Sequence, residues 1–172
     1  ENIPVVIGET QPDVKQIFID IAGSKNSDIV FADEFNYNNY NCDLKGNYQK
    51  KNIRSVLKSI NILKKKKFKI DHLHIISGLN NVFKNTGFLG RWQIIQNNPM
   101  IICDTAHNKA ALEEVISQLI NLDYSNLHFI VGFSNDKNLE IITKIFPEDS
   151  KYYFVQSKVG RARKAKEIKE VF

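Results

Sequence analysis

The chain has 172 residues, 42% of them hydrophobic and 25% charged, with a formal net charge of +5. Such a composition is globular rather than disordered, and the length suits one domain of ordinary size or two small ones. No apolar run approaches the ~18 residues of a membrane-spanning helix, and two cysteines, Cys42 and Cys103, cannot build a disulfide framework, so no membrane association and a reducing, cytoplasmic compartment are expected.

The first residues, Glu1-Asn2-Ile3-Pro4, include no initiator Met, signal or transit peptide, which reads as a cut through a longer polypeptide. Pro4–Ile7 then reads as a short buried strand ended by Gly8. Pro12 sits where a first helical turn tolerates proline, and Val14, Ile17, Phe18, Ile21 and Ala22 follow at helical spacing. Gly23 is the expected C-cap. Asp28–Ala32 is the next strand candidate, and the Asn- and Tyr-rich residues 34–49 are expected to be loop or irregular β structure.

Asn52 to Leu63 predicts an amphipathic helix with Ile53, Val56, Leu57 and Ile60 on one face, and a further helix is expected from Asp71 to about Asn85. Charge changes sign along this stretch. Residues 1–43 carry eight acidic and two basic groups, whereas residues 44–84 carry eleven basic groups and one acid, Asp71. The lysine run Lys64–Lys67 reads as a solvated face that favours the helix C-terminal dipole. Interleaved aromatics and arginines, which a nucleic-acid surface would show, are missing beyond Phe68, so no nucleic-acid partner is expected.

Gly87 and Gly90 mark a candidate boundary, with domains expected at 1–84 and 85–172. Beyond it come strand Met100–Cys103, helix Ala110–Asn121, strand Leu127–Phe133, helix Leu139–Phe146, strand Lys151–Gln156 and a helix from about Arg161. This alternation predicts an α/β fold with three parallel strands and right-handed crossovers. Trp92 to Cys103 is expected to form a hairpin or strand pair.

Three segments carry chemistry. Cys103-Asp104-Thr105-Ala106-His107-Asn108 lies between a strand and a helix, where a parallel α/β domain opens its ligand crevice. Asp104 there suits a ribose hydroxyl pair, or a turn; Asn108 suits the helix N-cap. Arg91, behind Gly87 and Gly90, offers a fork for phosphate, or a surface stack on Trp92. Gln49 and Asn52 share a face of a first helical turn, where carboxamides can read a purine edge or cap the helix. No phosphate-loop motif and no dinucleotide fingerprint occurs. His72 and His74, two apart, point to different helix faces and are not expected to bind zinc, and His128 reads as structural.

Taken in order, Pro4–Glu9, Gly46–Asn52, Gly90-Arg91-Trp92-Gln93, Asp104–Asn108, and Gly132 with Asn135-Asp136-Lys137 resemble folylpolyglutamate synthase/dihydrofolate synthase of the Mur ligase superfamily. The resemblance implies the tail of a central ATPase domain at 1–84, then a Rossmann-like Mur ligase C-terminal domain at 85–172 that stops before the family's last strand and helix. It implies a monomeric, ATP-dependent ligase adding L-glutamate to a folate or dihydropteroate through an acyl phosphate. The phosphate loop and Mg2+ ligands would belong to the preceding part, so the 172 residues alone would be inactive. By the same resemblance Asn52 lies near the adenine, Arg91 contacts ATP phosphates, and Asp104 binds the ribose. His107 lies near the phosphate or the incoming glutamate, and Ser157 and Arg161 fall in the glutamate site. The family's Asn-Pro after the histidine is here Asn108-Lys109, so a helix-starting proline is lost. Two other readings remain: another Mur-type ligase, such as one building peptidoglycan precursors, and a non-catalytic nucleotide-binding module.

Overall fold

The computed structural model describes residues 1–37 and 40–172; Asn38 and Asn39, within the expected 34–49 loop, lie outside the described residues. The chain divides into two compact units, Glu1–Leu89 and Gly90–Phe172.

In the first unit β1 (Val5–Ile7) and β2 (Ile29–Phe31) pair in parallel, Val5 opposite Ile29, with α1 (Pro12–Ser24) as the crossover. Pro12 occupies the first turn of α1 as expected. Gly23 does not end the helix; α1 continues to Ser24, and the left-handed residue beyond it is Asn26 (φ 49°). Asparagine is the L-residue that tolerates this conformation best, so it replaces the anticipated glycine. The apolar face of α1 is also less covered than its spacing suggests: Ala22 is buried, but Ile17 and Ile21 are more than half exposed. A two-stranded sheet is too narrow to cover a 13-residue helix.

After β2 a 3-10 turn (Ala32–Glu34) leads through residues 35–48 to α2 (Gln49–Lys65), which buries Leu57 and packs against that turn and β1. Lys64 and Lys65 stand in its last turn, where cations favour the C-terminal dipole. The helix expected over 71–85 is two: α3 (His72–Asn80) and α4 (Val82–Thr86), broken at Asn81. Asp71 caps α3 by accepting the His74 N–H, while its own N–H donates to His74 Nδ1. This capping box explains both residues without a metal. Gly87 (φ 63°) ends α4 in the left-handed conformation.

The second unit begins with an antiparallel hairpin, β3 (Gln93–Asn97) and β4 (Met100–Cys103), turned by Asn98-Pro99. Then follow α5 (Lys109–Ile120), β5 (His128–Val131), α6 (Leu139–Ile142) continued by a 3-10 turn to Ile145, β6 (Lys151–Phe154) and α7 (Ala165–Lys169). β5 and β6 are parallel, with Phe129 opposite Tyr152. Two parallel strands are therefore found where three were expected: β4 pairs with β3 and not with β5.

The core of this unit lies on one sheet face. Phe129 and Val131 of β5 pack against Ile116 of α5, with Phe133, Phe146, Tyr152 and Phe154 around them. Phe172 joins the cluster, its ring 5.3 Å from those of Phe146, Tyr152 and Phe154. Alternation along β5 sends His128 and Ile130 to the opposite, exposed face. There His128 stacks on Tyr153 at 5.8 Å, a surface aromatic pair.

Candidate functional site

Hairpin register builds the first corner. Gln93 lies opposite Cys103, so the residues just before one and just after the other meet at the open end of the hairpin. Asp104 Oδ2 accepts the Trp92 N–H at 2.7 Å, and Oδ1 accepts the Ala106 N–H at 2.8 Å. The Thr105 N–H donates to the Gly90 carbonyl at 3.0 Å, and the Thr105 hydroxyl to the same oxygen at 3.1 Å. Arg91 Nη1 donates to Gly90 O at 3.0 Å and to Thr105 Oγ1. The two segments singled out in the sequence thus form one locked structure.

Backbone conformation shows how tightly the corner is drawn. Gly90 adopts φ +72°, and a Cβ there would stand 2.5 Å from Thr105 Cγ2, so only glycine fits. Trp92, 4% exposed, adopts φ 46°, a left-handed conformation unusual for an L-residue. Its N–H is held by Asp104, and the Gly90 N–H by Gln93 Oε1 at 3.0 Å. Charge-assisted bonds to a carboxylate are about twice as strong as neutral ones. Asp104 therefore is a turn residue, and the same two amides fix its carboxylate at the C-terminal end of β4.

Beyond Asp104 the chain enters α5. Asn108 is its N-cap, accepting the Ala111 N–H at 2.9 Å, so the cap survives without the family's proline. His107 is exposed, with Nδ1 3.0 Å from the Thr105 carbonyl. A carbonyl only accepts, so the proton of that bond sits on Nδ1, and Nε2 is the nitrogen that would meet a ligand.

The second corner lies in the first unit. Gly8, directly after β1, approaches α2 so closely that a Cβ would stand 2.9 Å from Ser55 Oγ. Glu9 pairs with Lys51 of α2 at 3.6 Å. Thr10 donates its N–H and hydroxyl to the Asp33 carboxylate at 2.8 and 2.9 Å, tying the loops after β1 and β2. These bonds, the backbone N–H first, hold the Asp33 carboxyl below the usual carboxylate range. On α2, Asn52 Nδ2 donates to Gln49 Oε1 at 2.9 Å; Gln49 is buried and Asn52 exposed. The helical spacing of these carboxamides thus yields a mutual hydrogen bond.

The third corner joins the loops after β5 and β6. The Asn135 N–H donates to Arg161 O at 2.9 Å, the Arg163 N–H to Phe133 O at 2.8 Å, and Ser134 bridges Ala162. Lys137 Nζ lies 2.8 Å from Asp136 Oδ2, and the Ser134 hydroxyl donates to Asp136 Oδ1. The lysine and then the serine hold the Asp136 carboxyl well below its ordinary range. Ser157 and Arg161 are exposed on the segment between β6 and α7. Sequence reading missed Thr105, Thr10–Asp33 and Arg163. Thr105 stood inside a motif already noted, whereas the other two act through contacts 23 to 28 residues apart. Among the described residues no three His, Cys, Asp or Glu side chains converge to hold a metal ion.

An antiparallel hairpin leading into a parallel α/β unit, with an arginine and a carboxylate locked at its open end, makes this unit an α/β domain. Residues 90–172, the whole of this unit, match the family described as "Mur ligase, glutamate ligase domain". Relatives extend the likeness to folate ligases. The chain is 30% identical over 128 residues to a probable dihydrofolate synthetase of Schizosaccharomyces pombe, covering 71% of this chain and 29% of that protein. It is 26% identical over 89 residues to a probable bifunctional folylpolyglutamate synthase/dihydropteroate synthase of Haloferax volcanii, covering 52% and 11%. The chain therefore spans less than a third of either relative. The folylpolyglutamate synthase of Mycobacterium tuberculosis, solved with ADP and AMPPCP, shares the fold over 96% of this chain and 42% of its own. The TM-score is 0.81 at 17% identity.

Proposed function

We propose that this chain is part of an ATP-dependent ligase that adds L-glutamate to a folate or dihydropteroate carboxylate through an acyl phosphate. The observation that carries the reading is the locked corner of Gly90–Gln93 and Asp104–Asn108, lying inside a glutamate ligase domain. The nucleotide named for the Mycobacterium tuberculosis structure and the folate names of the curated relatives supply the substrate class.

In this reading a carboxylate oxygen attacks the γ-phosphorus of ATP, ADP leaves, and the glutamate amine attacks the acyl carbon. Phosphate then departs with that oxygen, and the amine loses its proton. Negative charge develops first on the transferring phosphoryl group and then on the tetrahedral carbon, so fixed positive groups accelerate both steps. Arg91, held by Gly90 and Thr105, supplies one such group without needing to reorganise. Asp104, held by two amides, accepts from the ribose hydroxyls. Asn52 serves the adenine, His107 the phosphate or incoming amine, and Ser157 and Arg161 the glutamate carboxylates. Mg2+ would neutralise phosphate charge, and its ligands would come from outside this chain.

The test is an assay of the full-length protein with ATP, L-glutamate and either dihydropteroate or a folate. Glutamate-dependent ADP release with a pterin acceptor supports the proposal. Release only with a peptidoglycan-precursor acceptor would move the protein to another Mur-type ligase, and nucleotide binding without turnover would make it a binding module. The 172 residues alone are expected to be inactive.

A further inference from the structure

Arg163 has no role in the reading above, yet it is the side chain that closes the loop after β5. Its Nη2 donates to Asn135 O at 2.8 Å and to Lys137 O at 3.0 Å, across 28 and 26 residues of sequence. Its backbone N–H donates to Phe133 O at 2.8 Å. Its Nε is buried and makes no hydrogen bond. A guanidinium nitrogen is seldom left that way, so packing and the two carbonyls, rather than solvation, fix this side chain.

Two cations stand on the elements Arg163 joins, one of them, Lys137, already paired with Asp136 at 2.8 Å. Lys137, its side chain 25% exposed, lies on the turn whose carbonyls Arg163 holds. Arg161 lies two residues before Arg163 on the partner segment, its carbonyl accepting the Asn135 N–H. Both segments follow the C-terminal ends of parallel strands, the edge where open α/β sheets bind ligands. Glutamate carries two carboxylates, and recognising them takes cations set at a fixed separation. One guanidinium bonded to two carbonyls two residues apart sets that separation. A lysine ammonium could reach the same oxygens, but it is flexible and lacks the planar fork.

Building on the ligase reading, we infer that Arg163 is a positioning residue for the amino-acid substrate, acting through the Ser134–Lys137 turn and Arg161. Interactions with the substrate's carboxylates are made equally in ground and transition states, so their loss raises KM and spares kcat.

The experiment is steady-state kinetics of the full-length enzyme carrying Arg163→Gln or Arg163→Lys. For R163Q the glutamate KM rises about tenfold or more, the ATP KM stays within about twofold, and kcat within about threefold. R163K recovers part of the loss. A glutamate KM within about twofold of wild type in R163Q, or an equal rise in the ATP KM, would overturn the assignment. Should R163Q fail to fold, R163K decides: a glutamate KM raised about threefold supports it, and an unchanged one overturns it. A wild-type enzyme with no glutamate-dependent turnover would refute the ligase reading instead, so the two failures are distinct.

Discussion

Replacing Asp104 by alanine removes the acceptor for two backbone N–H groups, those of Trp92 at 2.7 Å and Ala106 at 2.8 Å. Hydrogen bonds to a charged acceptor contribute about 1.5–3 kcal/mol each. Asp104 is only half-buried, so solvent replaces part of each bond, and roughly 2–3 kcal/mol in total is the working figure. Relaxation at Trp92 offsets part of the loss: its left-handed backbone costs about 1–2 kcal/mol in the intact corner and relaxes once its N–H is released. For a unit of the size of Gly90–Phe172, 1 kcal/mol moves Tm by about 4–8 °C, so a net loss of about 1–2 kcal/mol lowers the D104A transition of this unit by roughly 5–15 °C. Asp104→Asn keeps one oxygen but turns an amide nitrogen toward the other N–H, and loses at least about half as much. Trp92 is the one tryptophan in the chain and is buried in this unit, so its fluorescence reports this transition selectively. A D104A shift below about 3 °C with unchanged Trp92 emission would refute the claim that Asp104 locks the corner.

Asn108→Ala removes the N-cap of α5 and costs about 1 kcal/mol, lowering the same fluorescence-monitored Tm by about 4–8 °C. Asp33, Asp71 and Asp136 all have carboxyls held below the usual range, by the Thr10 N–H, the His74 N–H and the Lys137 ammonium respectively. A folded-state pKa below the unfolded one gives stability that is present above about pH 4 and is lost as pH falls toward the folded value. Tm should therefore begin to fall only as pH drops below about 4, and Asp136→Asn should start lower at pH 7 yet lose less on acidification, as followed by circular dichroism. On the proposed ligase reading, Arg91→Ala in the full-length protein should depress kcat more than it raises the ATP KM, with Arg91→Lys recovering only part, because lysine lacks the fork.

Motif order along the chain anticipated which segments would carry the corners, since the glycines and polar residues after short apolar runs mark strand ends. Pairing was legible in one place: the turn-forming Asn98-Pro99 between two apolar runs suited a hairpin. Strand direction was not. Met100–Cys103 is four apolar residues, a pattern shared by a buried parallel strand and by a hairpin arm, and its hydrogen bonds went to β3. The break at Asn81 was hidden because helical apolar spacing continues from Leu79 into Val82 and Phe83, while Asp43, far away in sequence, accepts the Phe83 N–H. Neither the left-handed Trp92 nor the grip of Arg163 on two carbonyls leaves a local signature. Both depend on partners brought in by the fold.

The central claim, that this chain serves a ligase working through an acyl phosphate, is tested most directly by following oxygen. The full-length protein is incubated with ATP, L-glutamate and a pterin substrate labelled with oxygen-18 in the carboxylate that becomes the amide. The account predicts that one labelled oxygen appears in inorganic phosphate for each amide formed. Amide product accompanied by unlabelled phosphate, or phosphate release with no amide product, would contradict it.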